Sequence, residues 1–253
     1  MSIRYICSLT GRRRSLEANR DLGFALAFVE GAINAGGFLA VQQYTSHMTG
    51  IVSSMADNAV LGAYGLVLGG AGALLSFMTE AACSAVMVNY SRRRHMHSEF
   101  ALPLLLEALL LVCFGFLGAR LSTVDSLFVS ITVMLLCLIM RLQNGVITKI
   151  SKAEIRTTHI TGIVTDIGIE LGKLFYWNAP TPPGRPKVIA NRGRLRILIT
   201  LALSFFLGGV AGAFGFNQVG YVAMVPLAMV LGTLALVPAV DDVKRYVRRV
   251  TRK

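Results

Sequence analysis

The sequence predicts an all-α, polytopic helical membrane protein with six spans arranged as two inverted three-span repeats. Each repeat adds a shorter polar helix that is re-entrant or partly inserted. Three observations lead there: apolar runs long enough to cross a bilayer, basic residues confined between them, and one polar phrase written twice.

Hydrophobic residues make up 54% of the chain and charged residues only 15%, whereas a soluble domain carries roughly 25% charged residues. The apolar runs are continuous over the roughly 20 residues a spanning helix needs; a barrel would show short alternating segments instead. Spans are expected at about Leu22–Gln42, Gly65–Tyr90, Ala101–Ala119, Ser126–Thr148, Leu195–Phe216 and Tyr221–Asp241. Two further segments, about Ser46–Tyr64 and Thr158–Trp177, are shorter and more polar.

Whether those two segments cross decides the topology, and charge discriminates. The net charge of +12 is gathered in blocks around Arg12–Arg20, Arg92–Arg94, Lys149–Arg156, Lys173–Arg196 and Lys244–Lys253. If neither segment crosses and the N-terminus is cytoplasmic, every block lies inside, as the positive-inside rule asks. If both cross, the blocks at Arg92–Arg94 and Lys149–Arg156 fall outside. Six spans are therefore expected. The same placement argues against nucleic-acid binding, which needs a basic surface with a reading element. The expected organisation is a basic cytoplasmic N-terminus (1–21), a first repeat (22–120), a second repeat (121–241) and a basic cytoplasmic tail (242–253). That tail suits anionic headgroups. No apolar stretch precedes Leu22, so the first span is expected to act as the insertion signal.

The duplicated phrase is TSHMTGIV at Thr45–Val52 and TTHITGIV at Thr157–Val164. Aligning the two copies sets spans one, two and three beside spans four, five and six. GAIN at Gly31–Asn34 then meets GVIT at Gly145–Thr148 across a two-residue gap, and GGAGALLSF in span two meets GGVAGAF in span five. An odd number of spans per unit inverts the second unit, a construction common in transporters, whose substrate sites lie at the repeat interface.

The polar residues of the phrases are the first site candidates: His47, Thr49, Gly50 and Asp57 in one copy, His159, Thr161, Gly162 and Asp166 in the other. Thr45 and Thr157 are candidate helix caps, and Gly50 and Gly162 allow close approach of a backbone or ligand. Glu30 and Asn34 share a face of span one, and Gln143 and Asn144 occupy the matching stretch of span four. Intramembrane charge is costly and marks function by default. Glu30 is read either as a proton- or cation-handling group or as an ion-pair partner of Arg141. Glu107 is expected to pair with Arg92 or Arg94 or to reach the interface. The plainer reading of each phrase is that His and Thr pin neighbouring helices together.

Small residues at four-residue spacing, Ala27/Gly31, Gly65/Gly69, Gly115/Ala119 and Gly208/Gly212, predict close helix packing. The four cysteines lack metal-type spacing and read as small apolar residues. No phosphate loop, HExxH or GxSxG motif occurs. No enzymatic activity, cofactor or metal is expected, a two-His site from His47 and His159 being a minor reading.

FVEGAINAGGF in span one, SHMTG at Ser46–Gly50, LLLEALLL in span three, LQNG at Leu142–Gly145 and RTTHITG at Arg156–Gly162 together resemble the YoaK-like family. These are bacterial inner-membrane proteins classed as a domain of unknown function. The likeness runs from about Leu22 to Val240. Family members often carry an acid where this chain has Asn34, Asn in place of Ile51, and another residue in place of His159. The resemblance implies a multi-span membrane protein and supplies no substrate. From the inverted repeat comes the expectation of a small-molecule or ion transporter of the bacterial inner membrane. Both termini would be cytoplasmic, with the lipid bilayer and an unknown substrate as partners, and a homo-oligomer is compatible with this. The alternative is a scaffold or accessory protein whose repeats only pack the bundle.

Overall fold

The computed structural model of the chain describes residues 16–94, 101–121, 132–139, 160–177 and 187–250. Among these the secondary structure is helical, without a strand: α1 Leu16–Val41, α2 Met48–Val60, α3 Tyr64–Arg93, α4 Ala101–Leu121, α5 at 132–139, α6 Ile160–Phe175, α7 Arg192–Val219 and α8 Met224–Val250. A 3-10 turn at Gly220–Ala223 joins the last two. Arg20–Val41, Tyr64–Arg93 and the stretch Arg192–Leu236 are long and apolar enough to cross a membrane, and Ala101–Phe116 is a shorter apolar helix. Backbone helix continues to Val250, well past Asp241.

The two polar segments form short helices. α2 has 13 residues and α6 has 16. At 1.5 Å per residue these reach about 20 and 24 Å, short of a hydrocarbon core about 30 Å thick.

The most extensive contact joins α1 to α7. A Cβ on Gly208 would strike the carbonyl of Phe28, one on Gly212 the carbonyl of Ala32, and one on Gly31 the carbonyl of Phe205. The partners advance together along both helices, so α1 and α7 run parallel, backbone against backbone. Small residues permit this approach, and in lipid such packing is a main source of helix association.

α4 packs on α8 and the preceding turn. Gly115 meets Val225 and Gly118 meets Tyr221, so these helices run in opposite directions at this end. Leu104, Ala108 and Leu111 on α4 and Met224, Ala228, Leu231 and Ala235 on α8 belong to the central apolar cluster. Their spacing alternates between three and four residues, the signature of a long helix–helix seam. The expected Gly65/Gly69 seam is absent: a Cβ at either glycine meets nothing within 4 Å among the described residues.

Candidate functional site

The first phrase begins in the turn after α1. Gln42 there has φ 55, a left-handed backbone, and Tyr44 stacks on Phe38 with ring centroids 4.4 Å apart. Thr45 is buried, and its carbonyl accepts a hydrogen bond from the Cys137 thiol at 3.4 Å. Thr45 is thus not the cap it was expected to be. The residue at the N-cap of α2 is His47, which makes no side-chain capping bond. Ser46 donates from its hydroxyl to Asn34 Oδ1 at 2.8 Å, tying the phrase back to α1.

Gly50 has a local function. A Cβ there would lie 3.0 Å from Nδ1 of His47, so the glycine gives space to the histidine of its own phrase rather than to a distant backbone. His47, Gly50, Ser54 and Asn58 recur at three- and four-residue intervals and therefore share one face of α2. They line a cleft of ≈ 520 Å³ together with Gln42, Gln43, Tyr44 and the start of α3 from Gly65 to Ala73. The Asn58 amide donates to the Ser54 carbonyl at 2.8 Å and its hydroxyl at 3.1 Å. The polar groups offered here are neutral hydrogen-bonding groups and an imidazole, beside the apolar side chains of Phe38, Val41, Ile51, Met55 and Val133. Thr49 and Asp57 are exposed on other faces of α2.

The apolar residues Ile51 and Met55 of α2 line the same cleft. Ile51 is buried with Ala73 of α3 and Val133 and Cys137 of α5, flanked by Met48 and Met55. On α6, Ile163 is buried with Leu198 and Leu201 of α7 and Ala27 of α1, flanked by Ile160 and Ile167. Met48, Ile51 and Met55 stand at the same places in their phrase as Ile160, Ile163 and Ile167. The buried positions of the following helices also correspond: Ala73, Glu80 and Ser84 on α3 have the spacing of Leu201, Gly208 and Gly212 on α7.

The polar faces of the two short helices diverge. Ser54 and Asn58 in the cleft correspond to Asp166 and Glu170 on α6. Asp166 accepts from Arg194 at 2.8 Å. Glu170, 2% exposed, accepts from Lys173 at 2.8 Å and from the Asn191 backbone N–H at 2.7 Å. The Lys173 bond first, and then the Asn191 bond, hold its carboxyl below the usual carboxylate range. Asn191 in turn caps α7, accepting from the Arg194 N–H at 3.0 Å. α6 is thus fastened to α7 by the Asp166–Arg194 ion pair and by the Asn191 N–H bond to Glu170. Thr161 and Gly162 are exposed. Gln143, Asn144 and His159, expected to complete the site, lie outside the described residues.

Glu30 is 0% exposed, deep in the core of α1. It does not line the cleft. Glu107 is also fully buried, with neither carboxyl oxygen hydrogen-bonded among the described residues. This corrects the expectation of an interfacial residue: LLLEALLL turns its glutamate inward. Glu80 on α3, a charge within an expected span and a functional candidate on that ground, is 1% exposed. Glu80, Ser84 and Ser91 are the polar members of a buried stripe that includes Ala73 and Val88.

Helical architecture, buried intramembrane acids and paired short helices define a helical protein of membrane type. The chain belongs to the family described as a protein of unknown function (DUF1275), whose pattern matches residues 22–237. This agrees with the family resemblance carried by its span-one and phrase motifs. No curated protein and no solved structure matches the chain.

Proposed function

We propose that the protein is a small-molecule or ion transporter of the bacterial inner membrane, with six spans in two inverted repeats and both termini cytoplasmic. The observation that carries this reading is the pairing of α2 with α6. Both are too short to span, and each buries its phrase isoleucine, Ile51 against α3 and α5 and Ile163 against α1 and α7. Irregular backbone at membrane depth is tolerated where it lines a wet cavity or is buried in protein. Parallel packing of α1 and α7 suits a topology in which spans one and five run the same way. The cleft on α2 then offers a substrate site open to one face. The ion-paired α6 fits the closed counterpart in an alternating cycle, with Asp166–Arg194 and the Asn191 N–H bond to Glu170 as the contacts that would part.

The same ion pairs favour a second reading, in which the phrases serve packing alone and the protein is a scaffold or accessory subunit. A metabolite comparison separates the two. Cells lacking the protein and cells overproducing it should differ in a discrete set of pools. His47→Ala should abolish that difference while leaving protein abundance in the membrane unchanged. Indistinguishable pools at equal abundance would overturn the transporter reading and leave the packing role.

A further inference from the structure

The cleft on α2 joins apolar surface to hydrogen-bonding groups and carries no acid or strong base. Its apolar side chains come from α1, α2, α3 and α5, and its polar groups include Gln43, His47, Ser54 and Asn58. No Asp, Glu, Lys or Arg is among its described lining residues, and Asp57, the one acidic residue of α2, lies outside the lining. At ≈ 520 Å³ the cleft has the size of a small-molecule site.

Part of the wall that α3 presents is bare backbone. Gly65 and Gly69 lie one turn apart and both line the cleft. A Cβ at either meets nothing within 4 Å among the described residues. Gly70 differs, because its Cβ would strike Met55 and helix packing accounts for that glycine. Glycine weakens a helix relative to alanine. At Gly65 and Gly69 no packing among the described residues accounts for that weakening; a side chain at either position would take up room in the cleft.

This lining selects by charge. Protein sites hold cations with carboxylates or gathered carbonyl oxygens, and anions with Arg, Lys or gathered N–H groups. A charge taken out of water without such a partner is strongly disfavoured. An uncharged molecule avoids that cost. Its body can bury against Phe38, Ile51 and Met55 while its polar end bonds to α2. Asn58 commits its amide hydrogens to the Ser54 carbonyl and hydroxyl, which leaves its Oδ1 to accept. His47, whose side chain caps nothing, offers two ring nitrogens for donating and accepting.

We propose that this cleft binds an uncharged amphipathic small molecule, its apolar body against α1, α2 and α3 and its hydrogen-bonding head at His47 and Asn58. The substrate class thereby narrows from small molecules or ions to neutral molecules. That the bound molecule is carried across the membrane rests on the transporter reading; the binding itself does not.

The test uses three probes of one shape and different charge: naphthamide, naphthoate and naphthamidine, which are neutral, anionic and cationic at neutral pH. Binding to the full chain in lipid nanodiscs is measured by calorimetry against empty nanodiscs. Naphthamide should bind at least about tenfold more tightly than either charged probe, because each of those buries a charge without a partner. Gly69→Leu fills the open space and should abolish naphthamide binding while melting no lower than the wild type. Asn58→Asp places a carboxylate at the head position and should move the naphthamidine-to-naphthamide ratio toward the cation by at least about tenfold. A charged probe that binds the wild-type chain as tightly as naphthamide would overturn the proposal, as would no measurable naphthamide binding. So would naphthamide binding that survives Gly69→Leu, or a ratio that Asn58→Asp leaves unchanged. Naphthamide binding with unaltered metabolite pools leaves the site standing and removes the transporter reading. Pools that change through His47 but consist of ions keep the transporter reading and overturn the neutral class.

Discussion

Ile51 and Ile163 hold the same place in their two phrases and are buried alike, at 2% and 5% exposure, Ile51 against α3 and α5 and Ile163 against α1 and α7. Each anchors a short helix that has no other buried apolar residue. Ile51→Ala and Ile163→Ala should therefore destabilise to a similar degree, each by roughly 2–5 kcal/mol, toward the lower figure where neighbours collapse into the gap. Thermal unfolding in detergent measures this. A large loss at one site and none at the other would contradict equivalent anchoring.

Glycines provide a paired contrast. Gly208→Ala places a methyl against the Phe28 carbonyl, a backbone atom that cannot swing aside. The cost should be at the upper end of the roughly 1–3 kcal/mol of overpacking, or larger. A Cβ on Gly172 of α6 meets nothing within 4 Å among the described residues. Gly172→Ala should be neutral, or stabilise by up to about 1 kcal/mol through helix propensity. Comparing melting temperatures of the two variants checks both signs.

The Ser46–Asn34 bond makes the acceptor identifiable, because the Asn34 oxygen receives the serine hydroxyl. Ser46→Ala should cost about 1 kcal/mol and loosen the turn before α2, seen as faster hydrogen exchange across 42–48. Asn34→Asp keeps an acceptor oxygen and should retain the protection that Asn34→Leu loses.

At α6 the sign of the pH dependence follows from Glu170. Its carboxyl is held low by Lys173 and by the Asn191 N–H, so the stabilisation is full above the unfolded value of about 4.3 and is lost as pH falls through the lower folded value. Protection of the Asn191 amide, corrected for intrinsic exchange, should drop over that acid range. Glu170→Gln should remove the pH dependence while the neutral side chain still accepts from Asn191. A wild-type profile that stays flat into acid would contradict the anchoring role.

Much of the helical plan was legible because it rests on hydropathy and charge, which a bilayer makes decisive. The short helices fall within two to four residues of the expected segments, since the phrases mark their starts. Side-chain direction was harder. A glutamate flanked by leucines on both sides has no amphipathic stripe to orient it, so Glu107 read as interfacial although it faces the core. Glu80 was legible as a charge within span two, but its inward direction was not, because its stripe is built from alanine, serine and valine, which score as weakly apolar on every face. Thr45 resembled a cap from its spacing, but the turn after α1 takes two more residues before helical geometry begins at Met48. The differing polar residues of α2 and α6 were legible beyond the shared letters of the phrases, but their partners Arg194 and Asn191, more than 20 residues away along the chain, were not.

The central claim is that the two phrases open toward opposite faces of one membrane, and cysteine accessibility at Thr49 and Thr161 tests it most directly. Both positions are exposed on their short helices, and single cysteines there, with the four native cysteines replaced, should leave packing intact. In sealed right-side-out and inverted vesicles, a membrane-impermeant thiol reagent should label position 49 from the outside only and position 161 from the cytoplasmic side only. Labelling of both from the same face, or of neither from either face, would contradict the account.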